Sequence, residues 1–106
     1  MYEGFEELGS KLSAAQAALH LGLALRDADR TPDAISVLQA ALSHFEALGA
    51  EERSATCQVE LANALIESEP SRAIELFEQA RKRFEGLSLP ERVAHCNKVL
   101  TYAMVL

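Results

Sequence analysis

The 106-residue sequence predicts an all-α fold, an α-α superhelix of stacked helical hairpins with about five full helices and a short N-terminal helical segment. Three observations carry that expectation. One phrase recurs, as FEELGS at Phe5–Ser10, FEALGA at Phe45–Ala50 and FEGLSL at Phe84–Leu89, in steps of 40 and 39 residues. Between the copies, apolar residues return every three or four positions, the period of a half-buried helix. Ala and Leu dominate a composition that is 6% aromatic and lacks Trp, which suits closely approaching helices. No segment alternates long enough to read as a strand.

The elements follow in order. Residues 1–10 read as the tail of a preceding repeat, with Gly9 as a helix stop. Residues 11–49 form repeat one. Its first helix, Leu12 to Ala28, carries Ala14, Ala17, Ala18, Leu21, Gly22 and Leu25 as the expected core stripe. Thr31-Pro32-Asp33 starts the second helix: Thr31 as cap, Pro32 in the first turn, Asp33 complementing the helix dipole. That helix presents Ala34, Ile35, Leu38, Ala41, Leu42, Phe45 and Leu48. Gly49 then suits a left-handed stop.

Residues 50–88 form repeat two. Its first helix runs about Glu51 to Glu67. Its second, restarted by Ser68-Glu69-Pro70, presents Ala73, Ile74, Phe77, Ala80, Phe84 and Leu87. The residue lost between the two steps falls between Leu65 and Ala73, at a Pro-containing turn. Residues 89–106 read as the first helix of a third repeat, with Ser88 and Glu91 as a capping box.

Composition excludes several classes. Net charge is −6, from 16 acidic and 10 basic residues, with no basic patch, so nucleic acid is not an expected partner. No apolar run approaches the ~20 residues of a membrane span. The N-terminus has no signal-peptide core, which makes the cytoplasm the default location. Cys57 and Cys96 are too few for a disulfide framework and read as small buried apolar residues. His20, His44 and His95 form no ligand pair, no phosphate loop or nucleophile elbow is present, and neither metal nor other cofactor is expected. An enzyme is not the expected reading. The Arg81-Lys82-Arg83 run, with Glu78 and Glu85 near it, reads as a solvated helix face.

The two-helix unit resembles the tetratricopeptide repeat. The first copy reads Ala18-x2-Leu21-Gly22-x2-Leu25, then Ala34-x3-Leu38 with Ala41. The second reads Gln58-x2-Leu61-Ala62-x2-Leu65, then Ala73-x3-Phe77 with Ala80. A first-helix copy follows as Asn97-x2-Leu100-Thr101-x2-Met104. The family's usual period is about 34 residues; the longer step here is similar to the arrays of kinesin light chains, Leu-Gly-Asn-repeat scaffolds and LuxR- or MalT-like regulators.

The resemblance implies a protein-interaction module. In such proteins the first helices line a concave groove that takes a peptide or helix of a partner. By position, the groove would hold Gln16, Leu19, His20, Leu23 and Asp27 from repeat one. Thr56, Val59, Glu60, Asn63 and Glu67 would come from repeat two, and His95, Lys98, Val99 and Tyr102 from the last helix. Leu19 and Leu23 would contact a partner, with Tyr102 as aromatic anchor. Chaperone-tail recognition is disfavoured, because Leu19, Leu23 and Glu60 stand where a carboxylate clamp needs Lys and Asn.

The last helix, with Val99, Met104, Val105 and Leu106, leaves an apolar end that suits homo-oligomerisation or a partner interface, or caps the stack by packing on the second hairpin. A chain opening on the end of a repeat suggests a piece of a longer array. The alternative function is a ligand-sensing or self-association domain of a bacterial-type transcription regulator.

Overall fold

A computed structural model describes residues 2–105, with side-chain surroundings for residues 9–102. Among the described residues the chain is all α, with five helices and no strand: α1 Tyr2–Asp27, α2 Thr31–Ala47, α3 Glu51–Leu65, α4 Pro70–Gly86 and α5 Pro90–Val105. The chain divides into two compact units, residues 1–50 and 51–106. The first is the α1–α2 hairpin. In the second, α3 packs on α4 and α4 on α5.

α1 overturns one expectation at once. It runs unbroken through Gly9 for 26 residues, so FEELGS ends no helix and no turn separates residues 2–10 from the rest. A glycine inside a helix costs about 1 kcal/mol, and no Pro or acidic start follows Gly9 to favour a turn. The other two copies do end helices, with one shared geometry. Gly49 has φ 68° and Ser88 φ 56°. Gly49 N donates to Glu46 O and Ala50 N to Phe45 O; Ser88 N donates to Glu85 O and Leu89 N to Phe84 O. These are the paired 5→2 and 6→1 bonds of a Schellman turn. Ser88 therefore closes α4 in a left-handed conformation and does not open α5 as a capping residue, which corrects the capping-box reading.

Asp29, φ 61°, closes α1 the same way, with Asp29 N donating to Arg26 O and Arg30 N to Leu25 O. Thr31 is not the cap of α2. The cap position is Arg30, without a side-chain capping bond, and Arg30 instead grips Asp33 one turn on, at 3.0 and 2.7 Å. The α3–α4 connection, residues 66–69, uses another turn. Glu69 N donates to Leu65 O at 2.8 Å, and no residue of that connection has a positive φ.

α2 buries Ala34, Leu38, Ala41 and Phe45, as the spacing predicts, and α4 buries their repeat partners Ala73, Phe77, Ala80 and Phe84. The α1 stripe is rotated from the expected one. Ala15, Leu19 and Gly22 are buried, while Ala14 and Ala17 are exposed and Leu21 is 52% exposed. Gly22 is needed where it stands: a Cβ there would meet Leu38 Cγ and Cδ2 at 2.6 Å, so its absence lets α1 and α2 approach.

Candidate functional site

Leu19 leaves the list of surface groove residues. It is buried, because it lies four residues after Ala15 and three before Gly22, inside the stripe that α1 turns inward. Leu23 is half-buried beside it, and Val59 on α3 is buried as well. The other predicted groove residues of α1 are polar. Gln16 is half-buried, His20 and Asp27 are exposed, and Gln16 Nε2 lies 3.1 Å from His20 Nε2. The amide nitrogen donates, which makes that ring nitrogen the acceptor.

α3 is buried over most of its circumference, at Ser54, Ala55, Cys57, Gln58, Val59, Leu61, Ala62, Ala64 and Leu65. At 100° per residue, one arc remains partly open, carrying Thr56, Glu60 and Asn63, and Glu67 lies exposed in the turn that follows, because the helix ends at Leu65 and not at Glu67. Thr56 Oγ1 donates back to Glu52 O at 3.0 Å, so its hydroxyl offers the outside an acceptor. Glu60 on the arc and Glu67 just beyond the helix end make this side acidic, which would repel a ligand carboxylate.

α5 buries Cys96 and Leu100 and leaves His95, Lys98 and Tyr102 exposed, with Val99 half-buried among them. Tyr102 is 66% exposed. A shallow cleft of about 560 Å³ is lined by His95, Lys98, Val99, Thr101 and Tyr102. The remaining predicted end residues, Met104, Val105 and Leu106, lie outside the residues whose side chains are described. α5 is held onto α4 by Arg81 Nη1 donating to Asn97 Oδ1 at 3.4 Å and by Arg92 stacked 5.8 Å over the Phe84 ring.

Neither cysteine forms a disulfide, and both are buried, Cys57 on α3 and Cys96 on α5. Burial pushes the Cys96 thiol up from its ordinary value, opposed by the charges of Arg81 and Arg92. Among the described residues no group of three or more His, Cys, Asp or Glu side chains could hold a metal ion. The basic run is not uniformly solvated: Arg81 pairs with Glu85 at 3.8 Å, while Arg83 turns to Glu51 on α3 at 3.7 Å. That α3–α4 bridge, and the Gln58–Gln79 hydrogen bond at 2.9 Å beside it, were not legible in the sequence. Their only signal is that both pairs occupy matching heights on the two helices of one hairpin.

Helical hairpins of one repeated design, with a polar arc left open on the first helix of each, define a repeat scaffold. The chain belongs to the tetratricopeptide repeat family: the family's sequence profile matches residues 13–86. Members of that family are in general protein-interaction repeats without catalytic machinery. Comparison with curated proteins and with solved structures returns no match. No helix among the described residues is long and apolar enough to cross a membrane.

Proposed function

We propose that the chain is a protein-interaction module that binds a peptide or helix of a partner on the open faces of its first helices, as part of a larger scaffold or regulator of the long-period type. The observation that carries this reading is Tyr102. A side chain that is 66% exposed beside half-buried Val99 and the cation Lys98 is the arrangement of an interface anchor, an aromatic body with polar neighbours. Thr56, Glu60 and Asn63 on α3 and Gln16, His20 and Asp27 on α1 supply polar contacts on the corresponding faces, with Leu23 as an apolar contact beside them. The acidic character of the α3 arc favours a ligand carrying Lys or Arg over one ending in carboxylates.

The test is selection of binders from a displayed peptide library, followed by affinity measurement on variants. Tyr102→Ala should weaken selected peptides at least tenfold, and Lys98→Ala less. Selected peptides that bind both variants as tightly as the parent chain would contradict the assignment.

A second reading, self-association through α5, is favoured by a separate observation. Ala94, Asn97 and Thr101 are exposed, although their repeat counterparts Ala55, Gln58 and Ala62 are buried. Light scattering across a concentration series distinguishes the readings: a monomer at all concentrations removes this one.

A further inference from the structure

We propose that two copies of the chain pair through α5 in a two-fold antiparallel contact, in which Glu91 of each copy faces Lys98 of the other. This deepens the self-association reading and rests on it. α5 buries Cys96 and Leu100. Its opposite side carries Glu91, Ala94, His95, Lys98, Thr101 and Tyr102, every one of them exposed. At i, i+3, i+4, i+7, i+10 and i+11 these six share one helix face.

The charges on that face decide the orientation. Among the described residues neither Glu91 nor Lys98 has an ion-pair partner in its own chain, whereas Arg81 holds Glu85 and Arg83 holds Glu51. A parallel pairing in register would set Glu91 against the partner copy's Glu91 and Lys98 against the partner copy's Lys98, and like charges repel. An antiparallel pairing with its axis between positions 94 and 95 turns both contacts into opposite-charge pairs. A two-fold contact makes each pair twice, so this one register gains both. Ala94 lies beside the axis, where a side chain of one methyl group lets two helices approach.

The same register gives the exposed apolar side chains a place. At 1.5 Å per residue, Tyr102 lies about 11 Å from the axis along the helix. α5 of the partner copy starts at Pro90, about 7 Å from the axis on that side. Tyr102 therefore reaches past the helix start to the turn before it. Leu87 is exposed there, and a cleft of about 650 Å³ opens among Ser88, Leu89, Pro90, Val93 and Ala94. Leu87 and Tyr102 are two of the three exposed large apolar side chains among the described residues, and the pairing joins them at both ends of the contact. Exposed ion pairs contribute little each, so Glu91 and Lys98 set the register while Tyr102 and Leu87 supply the burial.

Sedimentation velocity on the full chain tests the pairing, with Glu91→Lys, Lys98→Glu and an equimolar mixture of these two variants. The parent chain should dimerise, and each variant alone should do so about fivefold or more weakly. The mixture should regain the parental affinity, because in the mixed dimer the two reversed charges face each other and the two native charges do the same. Tyr102→Ala and Leu87→Asp should each weaken the dimer as well. All four positions are exposed, so circular dichroism should stay unchanged. A dimer indifferent to both charge reversals, or a mixture no tighter than its components, would overturn the antiparallel pairing while self-association itself stands. A parent chain that stays monomeric at every concentration would remove self-association, and this pairing with it.

Discussion

Gly49 and Ser88 occupy the same left-handed backbone position one repeat apart, φ 68° and 56°, and close α2 and α4 with the same pair of bonds. A non-glycine residue there costs roughly 1–2 kcal/mol in backbone sterics, and glycine loses part of that advantage to its unfolded-state freedom. Ser88→Gly should therefore stabilise the chain by about 0.5–1 kcal/mol, and Gly49→Ala should destabilise it by about 1 kcal/mol. Midpoints of chemical denaturation read both. Equal destabilisation by the two substitutions would show that the turns are not equivalent.

The rotated α1 stripe separates two leucines two positions apart. Leu19→Ala should cost about 2–4 kcal/mol as a buried truncation, while Leu21→Ala should stay within about 0.5 kcal/mol. The reverse order in thermal or denaturant unfolding would restore Leu19 to the surface. Leu19→Glu, by the same reasoning, should impair folding and so report nothing about partner binding.

Gly22 faces Leu38 with no room for a methyl group. Gly22→Ala should destabilise by about 1–3 kcal/mol through overpacking, despite a gain of about 1 kcal/mol in helix propensity. In a double-mutant cycle with Leu38→Ala, the two changes should couple by more than about 0.5 kcal/mol, because the second makes room for the first. Additive costs would place the strain elsewhere.

Cys96 is held as a neutral thiol by burial. Its folded pKa lies above its unfolded value, so the unfolded chain releases this proton first as pH rises. The contribution to stability is complete below the ordinary thiol pKa and declines as pH climbs above it. Cys96→Ala should flatten that alkaline decline in denaturation midpoints measured across pH. In the native protein, alkylation of Cys96 should be much slower than after unfolding; equal rates would contradict its burial.

The parts of this fold that were legible in the sequence share a physical reason. α2 and α4 have a single apolar stripe each, so Ala34, Leu38, Ala41 and Phe45, with their partners 39 residues later, could only face inward. α1 is apolar on nearly every side, at Ala14, Ala15, Ala17, Ala18, Leu19, Leu21, Leu23, Ala24 and Leu25. Periodicity then permits two stripes, and packing of Gly22 against Leu38 decides between them. The stop at Gly9 misled because a glycine marks a turn only where the flanking residues also leave the helix. Ser88 misled in the other direction, since its turn is enforced by backbone bonds to Phe84 and Glu85 and not by its side chain. Of the candidate binding residues, those on α3 and α5 lie on helices with a clear outward arc, apart from Val59 at its edge. Leu19 was lost with the α1 register.

In the proposed function, first-helix faces meet the partner. Photocrosslinking in cells tests it most directly, with benzoylphenylalanine placed singly at Lys98 and Tyr102 on α5 and at the exposed Ser43 and Glu75 on α2 and α4. A discrete crosslinked protein is expected from Lys98 and Tyr102 and none from Ser43 or Glu75. Crosslinks from the second-helix positions alone would contradict it.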